Sequence, residues 1–196
     1  RWYLEAAKST DDPGLAERAT RIALLANDDA RAAEGLKLWR ARTPDSLAMH
    51  AAQATLALRR NDARLARKEL GILLADKGDI GWRHALAALG SGGKDPALAA
   101  RLLGELVDDR AIPDRLQPWL AFGGLAQRLD QPQLADRIID EVVRRFPEEP
   151  RVALLRASQL RESGKNDDAR KVLAGIAADA YTDEDMRMSI AAEYDA

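Results

Sequence analysis

Cysteine is absent from this sequence, which excludes disulfides and thiolate metal sites and leaves the compartment open. Histidine is nearly absent, with His50 and His84 the whole supply. Neither has a carboxylate at the spacing of an H-E-x-x-H zinc helix, so no metal or other cofactor is expected, and both read as surface or groove histidines. Aromatic residues are only 5% of the chain and runs of Val, Ile and Thr are missing, which removes the material for a sheet. No apolar run reaches the roughly 18–20 residues of a membrane span, so this segment itself is expected to make no membrane contact. Charge of one sign is lacking as well. Thirty basic against 32 acidic side chains leave a formal net charge of -2, too balanced to hold a phosphate backbone, and nucleic acid is not an expected partner.

What the chain does contain is helix-favouring alanine, leucine and arginine, arranged with a period. Five alanines follow short polar turns and open apolar-periodic runs: Ala32, Ala66, Ala99, Ala135 and Ala169, spaced by 34, 33, 36 and 34. Other residues fall into register on them, most clearly Trp119, Phe122, Gly123, Ala126, Ala135, Ile139, Val142 and Pro147. This pattern resembles the tetratricopeptide repeat. The resemblance implies an all-α fold, an α-solenoid in which antiparallel helix hairpins stack into a right-handed superhelix.

The repeat predicts one array over 1–196: a half hairpin over 1–11, hairpins over 13–44, 46–78, 80–112, 114–148 and 150–181, and a half hairpin over 183–196. Two helices of a hairpin approach closely only where small side chains meet, and Ala54, Ala87, Gly123 and Ala157 are assigned that clearance. Leu70, Leu103, Ile139 and Leu173 should fill the space toward the next hairpin. Punctuation agrees. Asp12-Pro13, Asp95-Pro96 and Glu149-Pro150 suit a cap followed by the first helical residue, and Thr182 with Asp185 resembles a capping box. Asp28-Asp29, Asn61-Asp62 and Asn166-Asp167 mark the inner turns. Trp39 and Trp119 are expected in the core, and the apolar residues Trp2, Tyr3, Leu4, Ala6 and Ala7 read as the second helix of an earlier hairpin. Neither end carries a polar capping helix, so the sequence is expected to be a window from a longer array whose uncapped ends could self-associate.

Catalytic patterns are hard to find. The stretch Gly90-Ser91-Gly92-Gly93-Lys94-Asp95 lacks Walker spacing and has Asp where Ser or Thr should follow Lys, so it reads as a turn. Asp183-Glu184-Asp185 lacks the ligand alternation and glycine of a calcium loop and reads as the acidic start of a helix. No Gly-x-Ser-x-Gly elbow is present, and the expectation is a binding protein rather than an enzyme.

In tetratricopeptide arrays the first helices line the concave face. The resemblance then assigns partner contact to Arg21, Thr55, Leu58, Arg59, His84, Gln117, Leu120, Gln127, Arg128, Arg151, Leu154 and Arg161. Leu58, Leu120 and Leu154 would supply apolar contacts, and Arg59, Arg128 and Arg161 would pair with carboxylates of a protein or peptide partner. The Lys and Asn that clamp a C-terminal carboxylate in one subclass are replaced here by Glu17 and Arg21, which argues against a chaperone-tail receptor. A second likeness rests on Tyr3-Leu4-Glu5-Ala6-Ala7, Asp12 to Ala19 and Arg21-Ile22-Ala23-Leu24. That wording is similar to tetratricopeptide lipoproteins of Gram-negative proteobacteria. It implies a periplasmic protein anchored at the outer membrane that acts as adaptor for a carboxyl-terminal processing protease or its substrates. The residues alone leave the cytoplasm as the alternative compartment.

Overall fold

A computed structural model describes residues 2–91 and 96–177 of the chain. Among them are eleven helices and no strand: α1 Trp2–Ser9, α2 Pro13–Leu25, α3 Asp29–Arg42, α4 Leu47–Arg59, α5 Ala63–Leu74, α6 Ile80–Ser91, α7 Pro96–Asp108, α8 Leu116–Arg128, α9 Pro132–Arg145, α10 Pro150–Glu162 and α11 Asn166–Ala177. Consecutive helices pack in pairs, an all-α, solenoid-like repeat of hairpins. Asp95, the Thr182–Asp185 box, the acidic cluster at 183–185 and the half hairpin over 183–196 lie outside the described residues.

Local chemistry explains where the helices start. Asp12 accepts from the Gly14 N–H at 2.8 Å with Pro13 as the first helical residue. Asp28 and Asp62 each accept at 3.0 Å from an N–H three residues on, and Ser46 accepts from Met49 N–H at 3.3 Å. Helices α2, α4, α8 and α10 share one device at their ends, and α7 ends the same way at Arg110, φ 54°, with Ala111 N–H donating to Leu106 O at 2.9 Å. Asn27, Asn61, Asp130 and Gly164 sit in the left-handed region, with φ of 54°, 58°, 56° and 74°. Behind each, the next N–H reaches back five residues: Asp28 to Ala23 O at 2.9 Å, Asp62 to Ala57 O at 2.8 Å, Gln131 to Ala126 O at 3.0 Å and Lys165 to Leu160 O at 2.8 Å. This satisfies carbonyls that a helix end would otherwise orphan, and Asn, Asp and Gly are the residues that tolerate the geometry. The turn residues 27 and 61 are 34 apart, as are 130 and 164, so the period seen in the alanines recurs in the backbone.

Contacts gather into two units, Arg1–Leu134 and Ala135–Ala196, where the repeat reading treats the chain as one array. In the first unit Ala7, Ala16, Ala23, Ala32, Leu36, Trp39, Met49, Ala52 and Leu56 form one core cluster from helices α1 to α4. The closest approach of α2 to α3 is at Gly35, where a Cβ would lie 2.5 Å from Thr20 Oγ1 and 3.1 Å from the Thr20 nitrogen. Thr20 is fully buried, and its hydroxyl donates to Ala16 O at 2.8 Å. Trp39 and Trp119 are buried, as is Trp82. In α1 only Leu4 and Ala7 are buried, whereas Trp2 is 89% exposed.

One small-residue assignment, Ala87, and one space-filling assignment, Ile139, need correcting. Ala54, Gly123 and Ala157 are buried, but Ala87 is exposed, and Ala85 and Ala88 are buried in its stead. The cause is Gly81. A Cβ there would overlap the Leu73 carbonyl and Asp76, so α6 meets the end of α5 through the bare glycine, with Gly81 N–H donating to Asp76 Oδ2 at 3.2 Å. That contact sets the rotation of α6 and turns Trp82, Ala85 and Leu89 inward. Leu70, Leu103 and Leu173 are buried, while in α9 Ile138 is fully buried and Ile139 only half-buried. Gly81→Ala is expected to destabilise the first unit by about 2 kcal/mol, because overpacking against backbone outweighs the better helix propensity of alanine. Urea unfolding followed by tryptophan fluorescence would check this.

Three arginines tie a hairpin to the one before it. Arg42 donates to Asp12 O at 3.0 Å, to Ala7 O at 2.7 Å and to Thr10 O. Arg60 donates to Asp29 O at 2.6 Å, and Arg115 to Gly78 O at 3.0 Å and to Asp79 Oδ1 at 2.5 Å. A guanidinium suits this task because its several N–H groups can serve carbonyls at a helix end together. In the second unit α10 and α11 form a hairpin around Ala157, Ala169, Leu173 and Ile176.

Candidate functional site

The first helices of the first unit, α2, α4, α6 and α8, stand side by side. Arg21 is exposed on α2 and pairs with Glu17 at 2.7 Å, one turn earlier. His84 on α6 is half-buried, and its pKa lies below the ordinary 6.5 because of burial and then the positive charge of Arg21. The charge of Arg21 is felt at His84 although α4 stands between their helices. On α4, Ala51 and Thr55 are both half-buried and small. The Thr55 hydroxyl donates to Ala51 O at 3.0 Å, so its hydrogen is spent within the helix. Three neighbouring first helices thus leave Arg21 exposed and Ala51, Thr55 and His84 half-buried.

Other assigned residues are placed differently. Leu58 is 1% exposed and belongs to the core, so it offers nothing to a partner. Its side of α4 is the packing side, which a repeat register shifted by one residue misreads as groove. Arg59 is likewise committed within the chain: it donates to Leu24 O at 2.8 Å and lies 3.5 Å from Asp29 Oδ1, with its side chain 15% exposed. It fastens α4 to the end of α2, as Arg42 does for α1. On α8, Gln117, Gln127 and Arg128 are exposed and Leu120 is half-buried. In the second unit Arg151 is exposed, Arg161 is half-buried and Leu154 packs against the α10–α11 core.

A polar cluster that the sequence reading passes over joins α3, α4 and α5. Glu69 on α5 is fully buried. One carboxylate oxygen accepts from Arg40 of α3 at 2.9 Å, and the other lies 2.5 Å from His50 Nδ1 of α4. His50, 12% exposed, is therefore a structural partner and not a groove histidine. The signal was present. Ala66, Glu69, Leu70 and Leu73 follow the i, i+3, i+4, i+7 spacing of a buried stripe, and a charged residue at such a position must bring its own partners. Both carboxylate oxygens are spent on structural contacts, so the cluster joins three helices of two hairpins. Among the described residues no three His, Asp or Glu side chains gather as a metal site.

Neither a protein-family model nor a curated protein matches the sequence. The influence of Arg21 on His84 can be measured. His84 is expected to titrate below 6.5 in a proton NMR titration, and Arg21→Ala to move it upward. The sign for stability follows. The unfolded chain takes up this proton first as pH falls through about 6.5, so the contribution of His84 is present at neutral pH and diminishes below it.

Proposed function

We propose that the chain is a tetratricopeptide-type scaffold or adaptor that binds a protein or peptide across the α2–α4–α6 face. The observation that carries this reading is that the neighbouring first helices α2, α4 and α6 leave Arg21 exposed and Ala51, Thr55 and His84 half-buried, with the charge of Arg21 felt at His84. An extended or helical segment can lie over such a face and present acceptors to the guanidinium. The left-handed turns at 27, 61, 130 and 164 support the repeat class, because they repeat one hairpin design in register.

On this reading the partner is a processing protease or a substrate it receives, and the chain works in the periplasm as part of an outer-membrane lipoprotein. The likeness of the stretch from Tyr3 to Leu74 to such adaptors supports that assignment. Thr55→Arg blocks this face and Arg21→Glu reverses its charge. Both variants should fold as the parent does and lose the partner captured from a periplasmic extract. Capture of the same partner by both would sink this reading.

A second reading is self-association through the α1–α2 surface. It is favoured by Trp2 and Leu25, 89% and 84% exposed, with Tyr3 and Ile22 also exposed beside a cleft of about 90 Å³. Light scattering over a concentration series separates the two, since only this reading predicts a mass that rises with concentration and falls back in a Trp2→Ser, Leu25→Ser variant.

A further inference from the structure

The first helices of the repeats carry a packing stripe at i, i+3 and i+7. In α6 it is Trp82, Ala85 and Leu89, and in α8 it is Trp119, Phe122 and Ala126, all six buried. The same register in α10, 34 residues past α8, reads Ala153, Arg156 and Leu160. Arg156 is exposed and its two companions are half-buried. A guanidinium thus stands where α8 buries a phenyl ring, while Ala153 and Leu160 pack against the α10–α11 core.

The consequence is visible within the second unit. A cleft of about 520 Å³ opens between α9 and α10, with Val143, Pro147 and Leu160 as its apolar wall. Its size lies within the about 300–1,000 Å³ of clefts that hold small ligands. Arg144, Arg156 and Asp140 also line it. Arg144 pairs with Glu141 on its own helix, so among the described residues Arg156 is the cation the cleft can offer. Gln159 on the same wall carries both a donor and an acceptor, matching a peptide group.

We propose that this cleft binds an acidic peptide segment in which a large apolar side chain lies beside a carboxylate. The apolar side chain takes the place of the ring that α10 lacks, against Val143, Pro147 and Leu160. The carboxylate pairs with Arg156, whose fork donates to both oxygens. Asp140 repels a second acid, which selects one carboxylate next to one apolar residue rather than a run of acids. The site lies wholly in the second unit and does not rest on the proposed face of the first.

The test is a titration of the full chain with a terminally blocked Gly-Phe-Glu-Gly peptide, read by methyl NMR at Val143 and Leu160. Saturable shifts are expected, with affinity about tenfold weaker when Gln replaces Glu and again when Ala replaces Phe, each a loss of about 1.4 kcal/mol. Arg156→Phe fills the cleft and should abolish the shifts while raising the melting temperature. Arg156→Gln keeps a polar surface and should bind the Glu and Gln peptides alike, which holds the proposal testable if the Phe variant fails to fold. Absence of saturable shifts, equal affinity of the parent chain for both peptides, or undiminished binding by Arg156→Gln would overturn it.

Discussion

Glu69→Ala is expected to destabilise the first unit by about 3 kcal/mol, with unfolding followed in urea by tryptophan fluorescence. All four tryptophans, at 2, 39, 82 and 119, belong to that unit, so the signal reports it without the second. The magnitude comes from what the substitution leaves behind. The carboxylate is fully buried and serves Arg40 at 2.9 Å and His50 at 2.5 Å; without it the imidazole loses its partner in a nearly dry site and a void opens beside Leu70. Arg40, with 45% of its side chain exposed, can turn to water, which keeps the cost at the low end for a broken buried pair. Glu69→Gln should cost less, since the amide still accepts from Arg40. Replacing all three residues by apolar ones of similar volume should recover most of the loss, because it removes the buried charge and its partners together. A Glu69→Ala chain as stable as the parent would mean that the cluster contributes nothing.

Trp39→Ala is expected to cost about 4 kcal/mol, the range for deleting a large buried ring. Trp39 is 2% exposed and sits in the cluster shared by α1 to α4, so its removal leaves a cavity between two hairpins, and neither can close it without giving up contacts of its own. Trp2→Ala is the control: its ring is 89% exposed and the same substitution should leave the midpoint unchanged. Equal midpoints for the two variants would show that inter-hairpin packing is not what holds this unit together.

The contrast between Trp39 and Trp2 also shows what a repeat pattern conveys. Both are apolar residues in helices of the pattern, yet one is enclosed by α2, α3 and α4 and the other is exposed on α1. Asp12, Asp28 and Asp62 announce their helices because a cap needs only neighbours a few residues away. Arg59 announces nothing of its role, because Leu24 O and Asp29 lie a whole repeat earlier. Its likeness to a groove arginine is a likeness of spacing, whereas its contacts depend on how α2 ends beside it. Glu69 is intermediate: its place in the stripe is readable, its partners on α3 and α4 are not.

Period, helix starts, turn residues and the all-helical class are thus written in this chain, since each follows from hydrogen bonds and steric preferences among residues close in sequence. Which face each helix turns inward was decided by packing. Gly81 meets the end of α5 through its bare backbone, Leu58 is drawn into the core, and the charge of Arg21 is felt at His84 on another hairpin, because close approach and charge act between segments that only the folded chain brings together.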